Sequence, residues 1–264
     1  MSSAMIQGEL WGARAHDYAS YLEQVSLPLY SAVLDAAQVV PGTEVLDVGC
    51  GAGLLALLAS LRGATVAALD ASTSLLEIAR QRLPNADLRQ GDLATLPFDD
   101  ASFDAVTAVN SIFYAADMAD ALRELSRVVR PGGRVVITAW GPPERCEFLT
   151  SVMPAISPLM PPPPPGAAGG GPRALAAPGA LAAALEQAGL RPLDEGEVAC
   201  PFAFPSPEIS WRANASAGPN QMAIRHSGED AVRAAFAKVD SAHVRPDGSI
   251  HYENIFLWAA GKRP

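Results

Sequence analysis

The sequence predicts an α/β fold built on a doubly wound, mostly parallel sheet, and three observations carry that prediction. First, apolar strand-like runs at 44–49, 65–70, 86–90, 103–109 and 134–140 alternate with helical patterns at 54–62, 73–82 and 117–129. Such alternation implies parallel strands joined by right-handed crossovers. Second, Glu44–Gly53 (EVLDVGCGAG) passes from an apolar run into three spaced glycines, which suits a buried strand, a tight turn and a helix start. Third, Asp47, Asp70, Asp92 and Asn110 all fall at or just past the carboxyl ends of those strands. Open α/β sheets bind ligands on that rim, so one shared site is expected there. A chain of 264 residues is long enough for one such domain with insertions.

The flanking segments follow from their composition. Residues 1–40 carry Trp11, Tyr18, Tyr21 and Tyr30 among helix formers, giving one or two helices ahead of the core at 41–140. Tyr21 and Tyr30 read as core aromatics, and Trp11 and Tyr18 as candidates for the rim of the site. Ser72 or Thr73 is placed to cap the helix that carries Leu75. Residues 141–178 hold Pro142-Pro143, Pro161–Pro165 and Gly169–Gly171, too many breakers for a helix or a central strand. A functional lid or an inert linker is expected there. Beyond it, Leu181–Ala188 reads as a helix stopped by Gly189, and Leu193–Ala199 as a strand. Residues 205–246, with Trp211 and Phe236, read as two helical pieces forming a cap, and 249–260 as the last strand of a C-terminal part spanning 179–264.

Charge and cysteine content narrow the function. The net charge of −9, with two Lys against 17 Arg, leaves no basic stripe to displace phosphate counterions. A nucleic-acid partner is therefore not expected, and a small-molecule substrate is. Cys50, Cys146 and Cys200 are odd in number and far apart, so neither a disulfide framework nor a metal site is indicated, and a reducing cytoplasm is expected. The opening residues MSSAMIQGEL lack a secretion signal, and no apolar stretch is long enough to span a bilayer. Monomer and homodimer remain open.

Gly51, Gly53 and Ala56 also satisfy the G-x-G-x-x-A form of the dinucleotide motif, with Asp70 at the distance of its ribose acid, so the glycines alone are ambiguous. The first turn of the following helix is expected to point free N–H groups at a ligand. Asp47 decides the sign: its carboxylate would repel a pyrophosphate and attract an ammonium or sulfonium, as in S-adenosylmethionine (SAM).

With those residues in view, VLDVGCGAG (45–53) resembles the first motif of class I SAM-dependent methyltransferases. The likeness continues in order through TVAALD (65–70), Gly91-Asp92-Leu93 with Leu96-Pro97-Phe98, Phe103-Asp104-Ala105-Val106 leading to Asn110, and Arg130-Pro131-Gly132-Gly133-Arg134. It covers about residues 10–140 and is similar to the small-molecule branch that holds quinone-biosynthesis (methyltransferase type 11) enzymes. The resemblance implies a seven-stranded sheet in the order 3-2-1-4-5-7-6 with an antiparallel last strand, and an N-terminal segment that closes over the cofactor. It implies SAM contacts from Tyr18, Asp47, Gly49, Cys50, Gly51, Gly53, Asp70, Ala71, Asp92, Leu93 and Asn110, with Asp70 on the ribose and Asp92 and Leu93 at the adenine. Asn110 would face the methionyl part and the substrate, and Phe113 and Tyr114 would wall the transfer chamber. No motif supplies a base. His16, His226, Tyr18 and Asn110 are the weak candidates, ahead of His243 and His251. The implied reaction is in-line transfer of a methyl group to a small molecule. The alternatives are a cyclisation or similar reaction on the same SAM fold, and a nicotinamide-dependent oxidoreductase.

Overall fold

A computed structural model describes residues 2–162 and 175–264. Its main sheet holds seven strands: β1 (Glu44–Val48), β2 (Thr65–Asp70), β3 (Asp87–Gln90), β4 (Phe103–Ala108), β5 (Val129–Trp140), β6 (Arg191–Ala199) and β9 (Ile255–Lys262). A separate ribbon pairs β7 (Phe202–Phe204) with β8 (Ile250–Tyr252). The main order is β3-β2-β1-β4-β5-β9-β6. β1 to β5 run parallel, and β9 is antiparallel to both β5 and β6. Counted within this sheet, β9 is the seventh strand, so the order is the one expected. The helices are α1 (Ser3–Gly12), α2 (Ala15–Asp17), α3 (Leu27–Ala36), α4 (Leu54–Leu61), α5 (Thr73–Arg82), α6 (Met118–Val128), α7 (Met153–Ile156), α8 (Ala180–Gln187), α9 (Pro207–Ala215), α10 (Gly218–Ser227) and α11 (Glu229–Asp240).

The central strands are buried on both faces because they are apolar on both, whereas the edge strands β3 and β6 are polar and largely exposed. Val66 and Ala68 of β2 join one core with α3 and α4, while Ala67 and Leu69 join the opposite core with α6 and α8. The same period of two recurs in β5, where Val136 faces the first core and Val135 and Ile137 the second. Ser72 caps α5, its hydroxyl accepting the Leu75 N–H at 3.3 Å.

Three local readings need correction. The last β-rich run is two strands, not one: β8 leaves the main sheet and β9 enters it after a break at Glu253-Asn254. Asn254 is buried at that break, accepting the Phe148 N–H on Oδ1 and the Cys200 N–H on its carbonyl. The segment 205–246 forms three helices rather than two, because Gly218-Pro219 starts a new helix and Gly228, at φ +87°, ends it. Within the Pro-rich stretch, Phe148–Leu159 is helical, as a π turn, α7 and a 3₁₀ turn, with Pro154 and Pro158 each the second residue of its turn. The run Pro163–Pro165 and the glycines Gly169–Gly171 lie outside the described residues.

Gly49 shows how tightly the first motif is packed. Its φ is +77°, and a Cβ there would lie 2.3 Å from Ser111 Cβ. Gly49→Ala should destabilise the protein by about 2–4 kcal/mol, combining a left-handed strain of roughly 1–2 kcal/mol with overpacking. Urea unfolding checks this, and an unchanged midpoint would contradict the packing described.

Candidate functional site

Above the carboxyl ends of β1, β2, β4 and β5 lies one elongated cavity. Its polar end is lined by Gly49, Gly51, Asp70, Ala71, Leu93 and Asn110, and its apolar end by Trp140, Phe148, Leu149, Met153, Phe202 and Phe256. The N-terminal segment contributes Trp11, Tyr18, Glu23 and Tyr30 to its wall.

The glycine loop uses its donors internally. The N–H groups of Gly49 and Cys50 both donate to the Leu69 carbonyl, at 2.7 and 3.0 Å. Gly51 N–H donates to Asp70 Oδ2 at 2.8 Å, Gly53 N–H to the Cys50 carbonyl, and Leu54 N–H, at the start of α4, to Glu23 Oε1 at 3.1 Å. The loop donors and the first N–H of α4 are therefore not free as expected: the Asp70 and Glu23 carboxylates take two places that a phosphate would use. That removes the main attraction for a pyrophosphate and leaves a site with negative character.

Asp70 is fixed for contact with a ligand. Oδ2 takes the Gly51 N–H and Oδ1 the Ser72 N–H, each at 2.8 Å, which holds the carboxylate plane at the end of β2. A carboxylate oxygen accepts more than one hydrogen bond, so both remain available to a pair of hydroxyls. Burial raises its pKa to about 6, against the pull of those backbone donors. Asp47 is different. It is 2% exposed, does not line the cavity, and faces Thr107, whose hydroxyl donates to Oδ1 at 2.9 Å. Burial, aided by the charges of Glu23 and Asp70, pushes its pKa up to about 7. Its influence on a ligand is through the field, not through contact.

Tyr18 lies across the loop, so close that a Cβ on Gly51 would come within 2.8 Å of its hydroxyl. Trp11 packs edge-on against Tyr18 and Tyr114, at 5.8 and 5.6 Å between centroids. Asn110 lines the cavity at φ +50°, a conformation asparagine tolerates. Its Oδ1 accepts from the Thr138 hydroxyl at 3.1 Å, and that hydroxyl oxygen accepts the Asn110 N–H. Phe113 and Tyr114 also line the cavity. Cys50 is buried in the turn with its thiol pKa raised by burial, and Gly53 caps α4. Asp92 turns away to accept the Ala94 N–H at 2.9 Å, leaving Leu93 as the lining residue there.

The structure does not bring the histidine candidates to the site. His16 and His226 are exposed and outside the cavity lining, on short or surface-facing helical positions. Sequence reasoning also missed two residues that shape the loop. Glu23, 2% exposed, pairs with Arg82 at 2.5 Å, and Arg82 donates to the carbonyls of Ala52 and Ala19. No spacing links positions 23 and 82. The one available hint was an isolated acid among apolar and small residues.

Comparison with known proteins bears on this geometry. Residues 46–137 match the family described as methyltransferase domain. The demethylmenaquinone methyltransferase of Renibacterium salmoninarum is 37% identical over 132 residues, which is 47% of this chain and 56% of that protein. The chain thus spans about half the length of the curated relatives it matches. Among solved structures, the [4+2]-cyclase SpnF has a TM-score of 0.58 at 21% identity, covering 89% of this chain and 80% of its own. A geranyl diphosphate C-methyltransferase from Streptomyces coelicolor has 0.52 at 17% identity, covering 89% and 78%. These structures share the fold of this chain. Its acid-lined loop fits SAM, a cationic nucleoside, better than a dinucleotide. Among the described residues no helix is long and apolar enough to cross a membrane.

Two outcomes test this electrostatic arrangement. Arg82→Met leaves the Glu23 carboxyl buried without its partner and should cost about 3–5 kcal/mol, much of it recovered in the double variant Glu23→Leu/Arg82→Met. Chemical denaturation of the three proteins checks it. Asp47 and Asp70 bind protons more tightly folded than unfolded, so they make stability fall as pH rises from about 4 to about 7. In ligand-free protein, Asp47→Asn should flatten that decline, and parallel pH–stability curves would contradict it.

Proposed function

We propose that the protein is a SAM-dependent methyltransferase acting on a small molecule. The observation that carries the reading is a glycine loop, in the segment similar to methyltransferase domains, whose N–H groups are already bonded within the protein, beside a half-buried Asp70 that faces the cavity. SAM, when bound, supplies a methyl group already activated by a sulfonium. The chain's task is then to hold and align rather than to activate.

In this reading Asp70 accepts the ribose hydroxyls, Leu93 and Ala71 flank the adenine side, and Gly49, Gly51 and Asn110 face the methionyl end. Asp92, turned toward Ala94, would need a new rotamer to reach an adenine amino group. Cys50 and Gly53 shape the loop without contact, and Asp47, Glu23 and Asp70 together favour a cation. Residues 1–40 close one side of the cavity with Trp11 and Tyr18, and the helices of 205–246 close the other with Asn214 and Asn220. Water is kept from the reacting end by the aromatic wall of Trp140, Phe148, Phe202 and Phe256. No histidine lines the cavity among the described residues, and burial raises the pKa of Tyr18. An acceptor atom that is nucleophilic without strong base assistance fits this wall. Three buried free thiols suit a reducing compartment such as the cytoplasm. The fold neighbours include a cyclase as well as a methyltransferase, so the assignment rests on the site and not on the fold.

Calorimetric titration with SAM and S-adenosylhomocysteine should give binding, and methyl-labelled SAM incubated with a metabolite pool should give a labelled product. Absence of binding to either nucleoside would end the reading. Asp70→Ala, in a variant shown to be folded, should weaken S-adenosylhomocysteine by about 1–3 kcal/mol through lost charge-assisted hydrogen bonds. Unchanged affinity would remove Asp70 from the ribose.

A further inference from the structure

Asn214 lines the cavity from α9 and is 1% exposed. Its Nδ2 donates to the Ser210 carbonyl at 2.9 Å and to Ser210 Oγ at 3.3 Å. Among the described residues, its Oδ1 is the one buried side-chain oxygen or nitrogen with no hydrogen-bond partner. The amide cannot gain by turning over, because Oδ1 would then face the Ser210 carbonyl. Ser210 is itself held: its hydroxyl donates to Asp240 Oδ1 at 3.2 Å, and Tyr252 Oη donates to the same oxygen. A chain of bonds from the buried Asp240 thus sets the rotamer of Asn214 and leaves one acceptor without a donor. A buried acceptor in that state is costly unless something that enters the cavity satisfies it.

The other half of the cavity is nearly free of such groups. Trp140 stacks on Phe148 at 5.6 Å and lies 4.5 Å from Phe256 and 5.7 Å from Phe202. Leu149 and Met153 complete that end. Flat aromatic faces and a methionine favour a rigid apolar body over a charged or heavily hydroxylated one.

We propose that Asn214 Oδ1 accepts a hydrogen bond from a hydroxyl or N–H group on the methyl acceptor, whose remainder is an apolar, ring-sized body seated against Trp140, Phe148, Phe202 and Phe256. This rests on the methyltransferase reading for the word acceptor, while the binding preference itself does not. Because Asn214 and the aromatic wall line one cavity, one molecule can answer both. Asn214 is then the residue that distinguishes a hydroxylated ring compound from the corresponding hydrocarbon or methyl ether.

The test uses equilibrium dialysis of 2-naphthol and 2-methylnaphthalene, which are close in shape and differ in one donor, against protein saturated with S-adenosylhomocysteine. Wild type should bind 2-naphthol about 5-fold tighter or more, the range expected for leaving a buried acceptor unpaired. Asn214→Leu, close in size and compatible with a helix, should bind both alike, and Trp140→Ala should weaken both. Equal affinities in wild type, a preference that survives in Asn214→Leu, or failure of both compounds to bind up to their solubility limits would overturn the proposal. So would an Asn214→Leu variant that loses affinity for S-adenosylhomocysteine while keeping the preference, since the missing donor would then belong to the nucleoside. If S-adenosylhomocysteine does not bind at all, the same pair is measured on ligand-free protein. A 2-naphthol preference there supports the Asn214 acceptor and leaves only the methyltransferase reading refuted, whereas equal affinities there refute both.

Discussion

The buried ion pair between Glu23 and Arg82 ties three parts of the molecule together, and the site depends on it. Glu23 comes from the N-terminal segment, Arg82 from the last turn of α5, and between them they hold the Ala52 carbonyl and the Leu54 N–H of the glycine loop. Arg82 also holds the Ala19 carbonyl, so the N-terminal segment cannot lift without breaking charge-assisted bonds. Burying a charged pair contributes little net stability compared with apolar packing, yet breaking one side of it is expensive. Its effect is therefore to fix geometry: it places Tyr18 across Gly51 and closes one wall of the cavity.

Placing a third carboxylate near Asp47 and Asp70 has an electrostatic consequence. Each raises the pKa of Asp47, already high from burial, and one guanidinium does not balance all three. Without ligand, the site is relieved by taking up protons. With a cationic ligand, the same carboxylates become favourable as ions. The glycine motif alone is compatible with phosphate or sulfonium. What separates them is where the N–H groups point, and here they point inward, to Leu69, Cys50, Asp70 and Glu23.

The cavity joins two chemical environments that come from distant parts of the chain. Its polar end belongs to the strand ends of β1, β2 and β4, whereas its apolar end is built by Trp140 at the end of β5, the helical run after Phe148, β7 and β9. The helices α9 and α10 then set Asn214 and Asn220 over the space between. Asn254, where β8 parts from β9, is bonded to Phe148 N–H and so fixes part of the aromatic wall.

The sequence by itself determined the alternation of strands and helices in the core, a cap for α5 at Ser72 or Thr73, and the rim on which Asp70 and Asn110 lie, while the strand order followed from the resemblance of its motifs to a known family. The alternation, the cap and the rim rest on local periodicity and turn chemistry, which short-range patterns record. That Trp140, Phe202 and Phe256 meet was not legible in the sequence. Only the tertiary structure decided that Glu23 reaches Arg82, that Asp47 is turned to Thr107 and Asp92 to Ala94, that His16 and His226 stay outside, and that Asn214 keeps a buried acceptor free. Each of those depends on which side chains from remote segments share a space. No interval between residues encodes that, because the energy of a buried polar group is set by its partners in three dimensions.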